Sequence, residues 1–254
     1  MKARTSVLAL LALTGTLAGC SSSGPSSTGR QATFQLATQP KSAAPAAGLL
    51  ASVGASESYT VGNDVLVLDT VQVVLRRIEF KRVESSGCDT LAVNDGCEEL
   101  KTGPVLQELP LGAGAVRAFN VAIDTGTYDR VEFEIHRPEA GSDAAFLQAN
   151  PLFDGVSIRV VGTFNGVPFT YTSDLDVGQE ANLVPPVVVT DNTGANVTLM
   201  VDLGTWFLNN GALVDPNSAN SGGANEGVVK SNIESSFHAF EDANEDGVDD
   251  HSAH

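Results

Sequence analysis

Residues 156–172 read VSIRVVGTFNGVPFTYT and contain the clearest β-hairpin in the chain. Apolar side chains alternate with polar ones on both sides of Asn165-Gly166, as they do in strands with one buried face. Asn-Gly tolerates the positive φ angles of a type I′ turn, whose twist suits antiparallel strands. We therefore predict two antiparallel strands joined at residues 165 and 166.

Similar strand-like segments follow one another over residues 59–203. Residues 65–75 predict one or two buried strands, and the apolar phase then slips by one residue at Arg76-Arg77. Such a slip is typical of a β-bulge, because side chains alternate faces with a period of two. Many short strands with no helices between them indicate an all-β protein with an antiparallel β-sandwich, which we place at residues 57–205.

The order of these segments resembles a bacterial lipoprotein domain family of unknown function. Three stretches carry the resemblance: residues 75–80 (LRRIEF), residues 126–133 (GTYDRVEF) and the Asn165-Gly166 turn. It covers residues 64–202 and implies a β-sandwich of transthyretin-like or immunoglobulin-like type. Because these stretches are patterns of packing and turns, the resemblance implies no catalytic residue.

The N-terminus resembles a bacterial lipoprotein signal. Two basic residues precede a short apolar run, and residues 17–20 read Leu-Ala-Gly-Cys, the order of a lipobox. The resemblance implies a signal peptide over residues 1–19, a lipid on Cys20 and a membrane anchor outside the cytoplasm. Ser21 is not the acidic residue of an inner-membrane retention signal, which favours the outer membrane. The alternative is an ordinary secretory signal with a chance cysteine.

Residues 20–56 follow as a segment rich in Ser, Gly, Ala and Pro. This composition buries too little apolar surface to offset the entropy that is lost on ordering, so we predict that the lipidated cysteine is followed by a flexible linker. Within the linker, residues 33–36 (TFQL) alternate between apolar and polar side chains. They predict a first strand.

The formal net charge of −17 limits the partners of this chain. Nucleic acid is excluded, because there is no basic stripe to neutralise phosphates. The charge also opposes adsorption to anionic lipid, so membrane attachment depends on the lipid on Cys20. The N-terminal apolar run is too short to span a bilayer, and no later apolar run approaches the length of a transmembrane helix. We expect a monomer whose partner is a protein or a glycan.

With the first cysteine lipidated, Cys88 and Cys97 are left. They bracket a turn-rich loop in an exported chain, so we predict a disulfide that contributes about 2–3 kcal/mol. The alternative is a thiolate metal site that includes Asp89, Asp95 and Glu98. Zinc sites have four ligands at closer spacing, and no histidine lies near this loop in the sequence, so the disulfide is favoured.

Residues 206–240 differ in character from the strands before them. Trp206 is expected to be buried at one end of the sandwich. After a loop, apolar residues recur at helical spacing, namely Val229, Ile233, Phe237 and Phe240. Ser231 and Glu234 fit a capping box. We therefore predict a short C-terminal helix that packs one apolar stripe on the sandwich.

The acidic tail, residues 241–254, contains a stretch with metal-ligand spacing. Residues 242–250 read DANEDGVDD, which looks like the start of an EF-hand loop or the calcium loops of thrombospondin type 3 and dockerin repeats. Oxygens of alternate residues can face one centre, a glycine permits the sharp turn, and a carbonyl and a later carboxylate can add ligands. The candidate calcium ligands are Asp242, Asn244, Asp246, Val248 and Asp250.

This loop departs from an EF-hand at its twelfth position, where Ala253 stands in place of the bidentate glutamate. With few carboxylates and an open side, we expect weak calcium binding, at about 10⁻⁴–10⁻³ M, as in extracellular modules. Calcium would then join the C-terminal helix to the sandwich and stabilise the fold. The alternative is a solvated acidic tail that binds no metal.

The candidates for catalysis are three alternate residues, Glu132, Glu134 and His136. They share one face of a predicted strand, where carboxylates and an imidazole can bind metal or transfer protons. The favoured interpretation is a solvated face that is balanced by Arg76, Arg77 and Arg82 on another strand. The sequence has no nucleophile elbow, zinc-protease motif or phosphate-binding glycine loop, which disfavours an enzyme.

Three functions therefore compete. The first is a binding module of the cell envelope, the second is a structural lipoprotein stabilised by calcium, and the third is a hydrolase that uses carboxylates on the sheet. A glycan-binding module would present exposed aromatic side chains, whereas most aromatic residues here fall at buried strand positions. We expect a non-catalytic, anchored lipoprotein with an interaction or structural role.

Overall fold

The computed structural model describes residues 31–38, 56–83, 103–111, 115–123, 125–190, 193–244 and 249. These residues contain the helices α1 (Ala144–Ala149) and α2 (Glu226–Glu234), and 3₁₀ turns at Pro151–Phe153, Leu203–Thr205 and Pro216–Ala219. The strands, in chain order, are β1 (Gln31–Thr38), β2 (Glu57–Val61), β3 (Asp64–Arg82), β4 (Val105–Glu108), β5 (Ala115–Ala122), β6 (Gly126–Ile135), β7 (Ile158–Phe164), β8 (Val167–Ser173), β9 (Val177–Val189), β10 (Ala195–Val201), β11 (Leu208–Asn209), β12 (Ala212–Leu213) and β13 (Phe237–Glu241).

Most of these strands form two sheets. The larger sheet has the order β8-β7-β3-β6-β9, with β2 and β4 also paired to β3, and the smaller sheet has the order β13-β10-β1-β5. The paired strands are antiparallel, as in the hairpin of β7 and β8, except that β1 and β10 run parallel. The predicted all-β antiparallel fold is confirmed. The parallel pair could not be foreseen, since side-chain alternation is the same in both directions.

The core lies between the two sheets. Phe34 of β1 contacts Phe80 of β3 edge to face, with ring centroids 6.4 Å apart. Phe237 of β13 contacts Phe133 of β6 in a similar way at 5.4 Å. Each pair joins the smaller sheet to the larger one, so the apolar faces of both sheets are removed from water together.

The hairpin at Asn165-Gly166 has the predicted geometry. Strands β7 and β8 pair along their whole length on either side of the turn. The φ angles are 50° at Asn165 and 78° at Gly166, and a type I′ turn requires both to be positive. The Asn165 side chain also accepts a hydrogen bond from the Val65 N–H (2.8 Å), which ties the turn to β3.

Strand β3 is a single strand of 19 residues with a bulge at the predicted position. Its register with β6 shifts between Arg76 and Glu79, and Arg77 has a φ angle of 51°. The first half of β3 pairs with β7, and the second half pairs with β6. The bulge therefore lies just beyond the change of partner.

The sandwich includes strands from both sides of residues 57–205. Strand β1 lies in the segment assigned to the linker, where the alternation of residues 33–36 predicts a strand. It occupies an inner position between β10 and β5, with Phe34 and Leu36 buried. Strand β13 lies at one edge of the same sheet. Segments near both ends of the described chain thus contribute strands to the smaller sheet.

The C-terminal helix is shorter than predicted. Helix α2 contains Val229 and Ile233, both completely buried, and ends at Glu234. Assigning Phe237 and Phe240 to the same helix was wrong, because they belong to β13, which pairs with β10. Their spacing suits a helix, but the backbone groups of β10 offer hydrogen bonds that apolar spacing cannot reveal.

The start of this helix also differs from the prediction. Its N-cap is Asn225, so Ser231 and Glu234 lie inside the helix and form no capping box. A capping box requires the serine to be the N-cap residue itself. The predicted burial of Trp206 is confirmed, since its side chain is completely buried.

Candidate functional site

The first candidate site lies where β6 ends. His136 follows directly after this strand, and its backbone N–H donates to the Val74 carbonyl of β3 (2.9 Å). Val74 in turn donates its own N–H to the carbonyl of Ser157 (2.8 Å), which directly precedes β7. The backbone of His136 is therefore fixed at the point where β3 exchanges one partner strand for the other.

Arg76 and Glu134 form a two-point ion pair between β3 and β6. Arg76 Nη2 lies 2.7 Å from Glu134 Oε1, and Nε lies 3.0 Å from Oε2. The hydrogen bonds to Glu134 raise the pKa of Arg76. Desolvation acts to raise the pKa of Glu134, but the bonds and charge of Arg76 outweigh it and lower that pKa below its ordinary value. Glu134 is thus an oriented carboxylate.

His136 forms a second pair with Asp143, which directly precedes α1. His136 Nε2 lies 2.8 Å from Asp143 Oδ2, and the two side chains are only 4% and 6% exposed. The same oxygen accepts the Glu139 N–H and the Ser142 hydroxyl, each at 3.0 Å. Desolvation acts to raise the pKa of Asp143, but these hydrogen bonds outweigh it and lower that pKa. The Asp143 carboxylate therefore holds a proton on His136 Nε2.

The other imidazole nitrogen faces two carboxylates. His136 Nδ1 lies 3.9 Å from Glu134 Oε1 and 3.9 Å from Asp176 Oδ1. Nδ1 is buried and has no hydrogen-bond partner within the described part of the chain. One ligand atom from each of the three side chains lies within 4.8 Å of the other two. Such a group can hold a divalent cation or exchange a proton.

The predicted balance of charges is present for Arg76 and Arg77, whereas Arg82 contacts Tyr128. Besides the pair with Arg76, Glu134 lies 3.7 Å from the Nε of Arg77, and Glu132 lies 3.5 Å from the Nζ of Lys81. The expectation that these side chains lie on a solvated strand face was wrong for His136, which is only 3% exposed. Alternation along β6 could not reveal this burial, because the loop residue Asp143 covers the end of the strand.

Two of the carboxylates around His136 were not predicted from the sequence. Asp143 and Asp176 lie in connections outside the strands, and neither has a characteristic spacing from His136. The one available signal was the number of acidic residues in these two connections, which follow β6 and β8. Only the topology shows that both connections lie beside the end of β6.

Comparison with known proteins assigns no family to the chain. No family model, curated protein or solved structure matches it significantly. The resemblance of residues 64–202 to the lipoprotein domain family therefore stays a prediction. None of the described helices is long and apolar enough to cross a membrane.

The second candidate site is the acidic loop that follows β13. Asp242 is completely buried, and its Oδ2 accepts a hydrogen bond from the Thr198 hydroxyl of β10 (2.8 Å). Its backbone N–H donates to the Asn196 carbonyl (2.9 Å). The loop is therefore entered from an edge strand, and the expectation of a helix before it was wrong. Asn244 lies in the turn that follows.

Several predicted site residues lie outside the described residues. They are the calcium ligands Asp246, Val248 and Asp250, the lipidation site Cys20, and the cysteine pair Cys88 and Cys97. The signal peptide, residues 1–19, also lies outside them. The occupied calcium loop, the lipid anchor and the disulfide therefore stay predictions.

Proposed function

We propose that this protein is a membrane-anchored lipoprotein of the cell envelope with a non-catalytic interaction or structural role, and that its C-terminal loop binds calcium weakly. The lipobox that ends at Cys20 supports the anchor. Strand β1 begins at Gln31. Ten or so residues can span at most about 35 Å, so the sandwich lies close to the membrane that holds the lipid.

The observation that carries the calcium proposal is the position of Asp242. Its carboxylate and backbone are bonded to Thr198 and Asn196 of the sandwich. The first ligand of the loop is therefore held by the folded domain before any ion binds, which lowers the entropy that binding must overcome. Calcium that binds to the loop would stabilise the pairing of β13 with β10.

Calcium titration of the full-length chain, freed of metal with a chelator, tests this proposal. We expect a dissociation constant of about 10⁻⁴–10⁻³ M by calorimetry and a rise in melting temperature at millimolar calcium. Asp246→Asn is expected to weaken binding, because it removes a charged ligand. Asp154→Asn, an exposed aspartate far along the chain from the loop, serves as the control. Absence of both heat and thermal stabilisation would exclude the site.

The lipid anchor has its own test. We expect the wild-type chain to incorporate labelled palmitate and to sediment with the envelope of an expressing bacterium. Cys20→Ser is expected to abolish both labelling and sedimentation, whereas Cys97→Ser keeps both, because Cys97 lies outside the lipobox. Labelling that survives in Cys20→Ser would contradict the proposed anchor.

A protein is the partner that the surface favours over a glycan. Among the described residues, the exposed large apolar side chains are valines and a leucine, while Trp206 and all three tyrosines are buried. Sugar rings stack on exposed aromatic faces, so this surface offers a glycan little support. Affinity capture from envelope fractions with and without a calcium chelator tests the interaction role. Recovery of no partner in either case would favour a purely structural role.

A further inference from the structure

We propose that Glu134, His136 and Asp176 form a second metal site, which binds a transition-metal ion of the zinc class and is independent of the calcium loop. The three side chains converge from the end of β6 and from the connection between β8 and β9. Their ligand atoms lie within 4.8 Å of one another.

The unpartnered nitrogen of His136 points to a ligand. Nδ1 is buried and lies 3.9 Å from an oxygen of each carboxylate, too far for a hydrogen bond to either. A buried polar atom without a partner is costly, and native proteins contain few of them. A cation between Nδ1 and the two carboxylates would give this nitrogen a partner.

The surroundings of the site match those of histidine ligands in metal proteins. Such histidines donate the N–H of the other ring nitrogen to a carboxylate, which fixes the tautomer and the ring. Asp143 does this for His136 Nε2 at 2.8 Å, so the lone pair is left on Nδ1. Arg76 holds the Glu134 carboxylate through both of its oxygens. Two of the three ligands are thus oriented before the ion arrives.

The donor set selects the metal. An imidazole nitrogen with two carboxylates suits zinc, manganese or cobalt, whereas calcium and magnesium prefer oxygen ligands and more of them. Tetrahedral zinc places its ligand atoms about 3.3 Å apart, so the carboxylates must approach Nδ1 by about half an ångström and each other by up to about 1.5 Å. Asp176 can make this adjustment, because its side chain is 36% exposed. The exposed side also leaves room for a water ligand.

The local charge permits a cation. Three carboxylates, those of Glu134, Asp143 and Asp176, face the imidazole, while the guanidinium groups of Arg76 and Arg77 lie against Glu134. Negative groups therefore outnumber positive ones by one when His136 is neutral. Arg76 Nη1 lies 3.4 Å from His136 Nε2, the ring nitrogen that contacts Asp143 and not the one that faces Glu134 and Asp176.

The test is a titration of the full-length, chelator-treated chain with Zn²⁺ by calorimetry, in wild type and in matched histidine variants. His136→Gln is expected to weaken zinc binding by about 100-fold or more, because it removes a ligand. His238→Gln is the control, since His238 is exposed on β13. It is expected to change the affinity less than about 2-fold. No zinc binding by the wild type, or equal binding by both variants, would overturn the proposal.

Aspartate variants keep the test decisive if His136→Gln fails to fold. Asp176→Asn changes a partly exposed side chain and is expected to weaken zinc binding, whereas the exposed control Asp154→Asn is not. Asp143→Asn, at a positioning residue, is expected to weaken binding by about 10- to 100-fold without removing a ligand. Substitution with Co²⁺ reports the ligands directly: weak d–d bands support the site, and an intense thiolate charge-transfer band would assign the ion to the cysteines and refute it.

Discussion

The indole N–H of Trp206 donates a hydrogen bond to the hydroxyl of Ser236, with Nε1 and Oγ 2.8 Å apart. Both side chains are buried, and the Ser236 hydroxyl donates in turn to the Ile233 carbonyl at the end of α2 (2.8 Å). One hydroxyl therefore accepts from a buried indole N–H and donates to a carbonyl at the end of the helix, which also accepts the Ser236 backbone N–H (3.1 Å). It joins the C-terminal segment to the core.

Ser236→Ala is expected to lower the free energy of unfolding by about 1–3 kcal/mol, because it leaves the Trp206 N–H buried without a partner. Urea denaturation followed by tryptophan fluorescence measures this, since the chain has one tryptophan. The matched control is Ser235→Ala at the exposed neighbouring position, with an expected change within about 0.5 kcal/mol. Equal losses in the two variants would show that the indole hydrogen bond contributes nothing.

Gly162 of β7 lies against the backbone of β3. A Cβ atom at this position would overlap the carbonyl oxygen of Val67, and the register of β3 with β7 shifts beside it, between Leu68 and Thr70. Only glycine allows so close an approach of two backbones. Gly162→Ala is therefore expected to destabilise the protein by about 2 kcal/mol or more, measured as a lower urea midpoint.

Gly178 of β9 provides the matched comparison. A Cβ atom there would meet nothing within 4 Å, although the residue is also a strand glycine. Gly178→Ala is expected to be neutral or slightly stabilising, because alanine reduces the entropy of the unfolded chain. If both alanine variants lose stability to the same extent, the close approach at Gly162 is not the cause.

The features of the fold that the sequence revealed are local. The Asn165-Gly166 turn requires positive φ angles that its two residues supply, and the bulge at Arg76-Arg77 shifts the apolar phase within one strand. The strand β13 was missed because its partner, β10, is distant in sequence. A pattern read along the chain reports which face of a segment is buried, but not which other segment covers it.

The same limit applies to the candidate sites. Glu134 and His136 were recognised from their alternation along the predicted strand, although β6 ends at Ile135. Asp143 and Asp176 complete the cluster from separate connections, and only the fold brings them to the end of β6. The C-terminal loop differs, because its ligand spacing lies within one short stretch of sequence. Asp242 was therefore identified without knowledge of Thr198, with which it forms a hydrogen bond.

Asn232 of α2 connects the helix to the turn after β10. Its Nδ2 donates to the carbonyls of Thr205 (3.0 Å), Trp206 (3.1 Å) and Leu208 (2.7 Å). Asn232→Ala removes these bonds and is expected to cost about 1–3 kcal/mol of unfolding free energy. Asn232→Asp is expected to cost more, although its shape is closer to asparagine, because a carboxylate oxygen would then face carbonyl oxygens at neutral pH. Chemical denaturation of both variants measures the order, and an aspartate variant as stable as wild type would contradict it.

The burial of Tyr171 leads us to expect that the fold loses stability at alkaline pH. Its side chain is completely buried, and desolvation raises the pKa of its hydroxyl to about 12 from 10.0, although the nearby Ser173 opposes part of this shift. Below pH 10 the hydroxyl is neutral in both states. Between about pH 10 and 12 the tyrosine ionises in the unfolded chain but not in the folded one, so stability is lost as the pH rises.

Relative to Tyr171→Phe, which cannot ionise, the wild type is expected to lose about 1.4 kcal/mol of unfolding free energy between pH 8 and pH 11. Urea denaturation of both proteins at the two pH values measures this difference, and an unchanged gap between them would show that Tyr171 does not titrate as its burial requires.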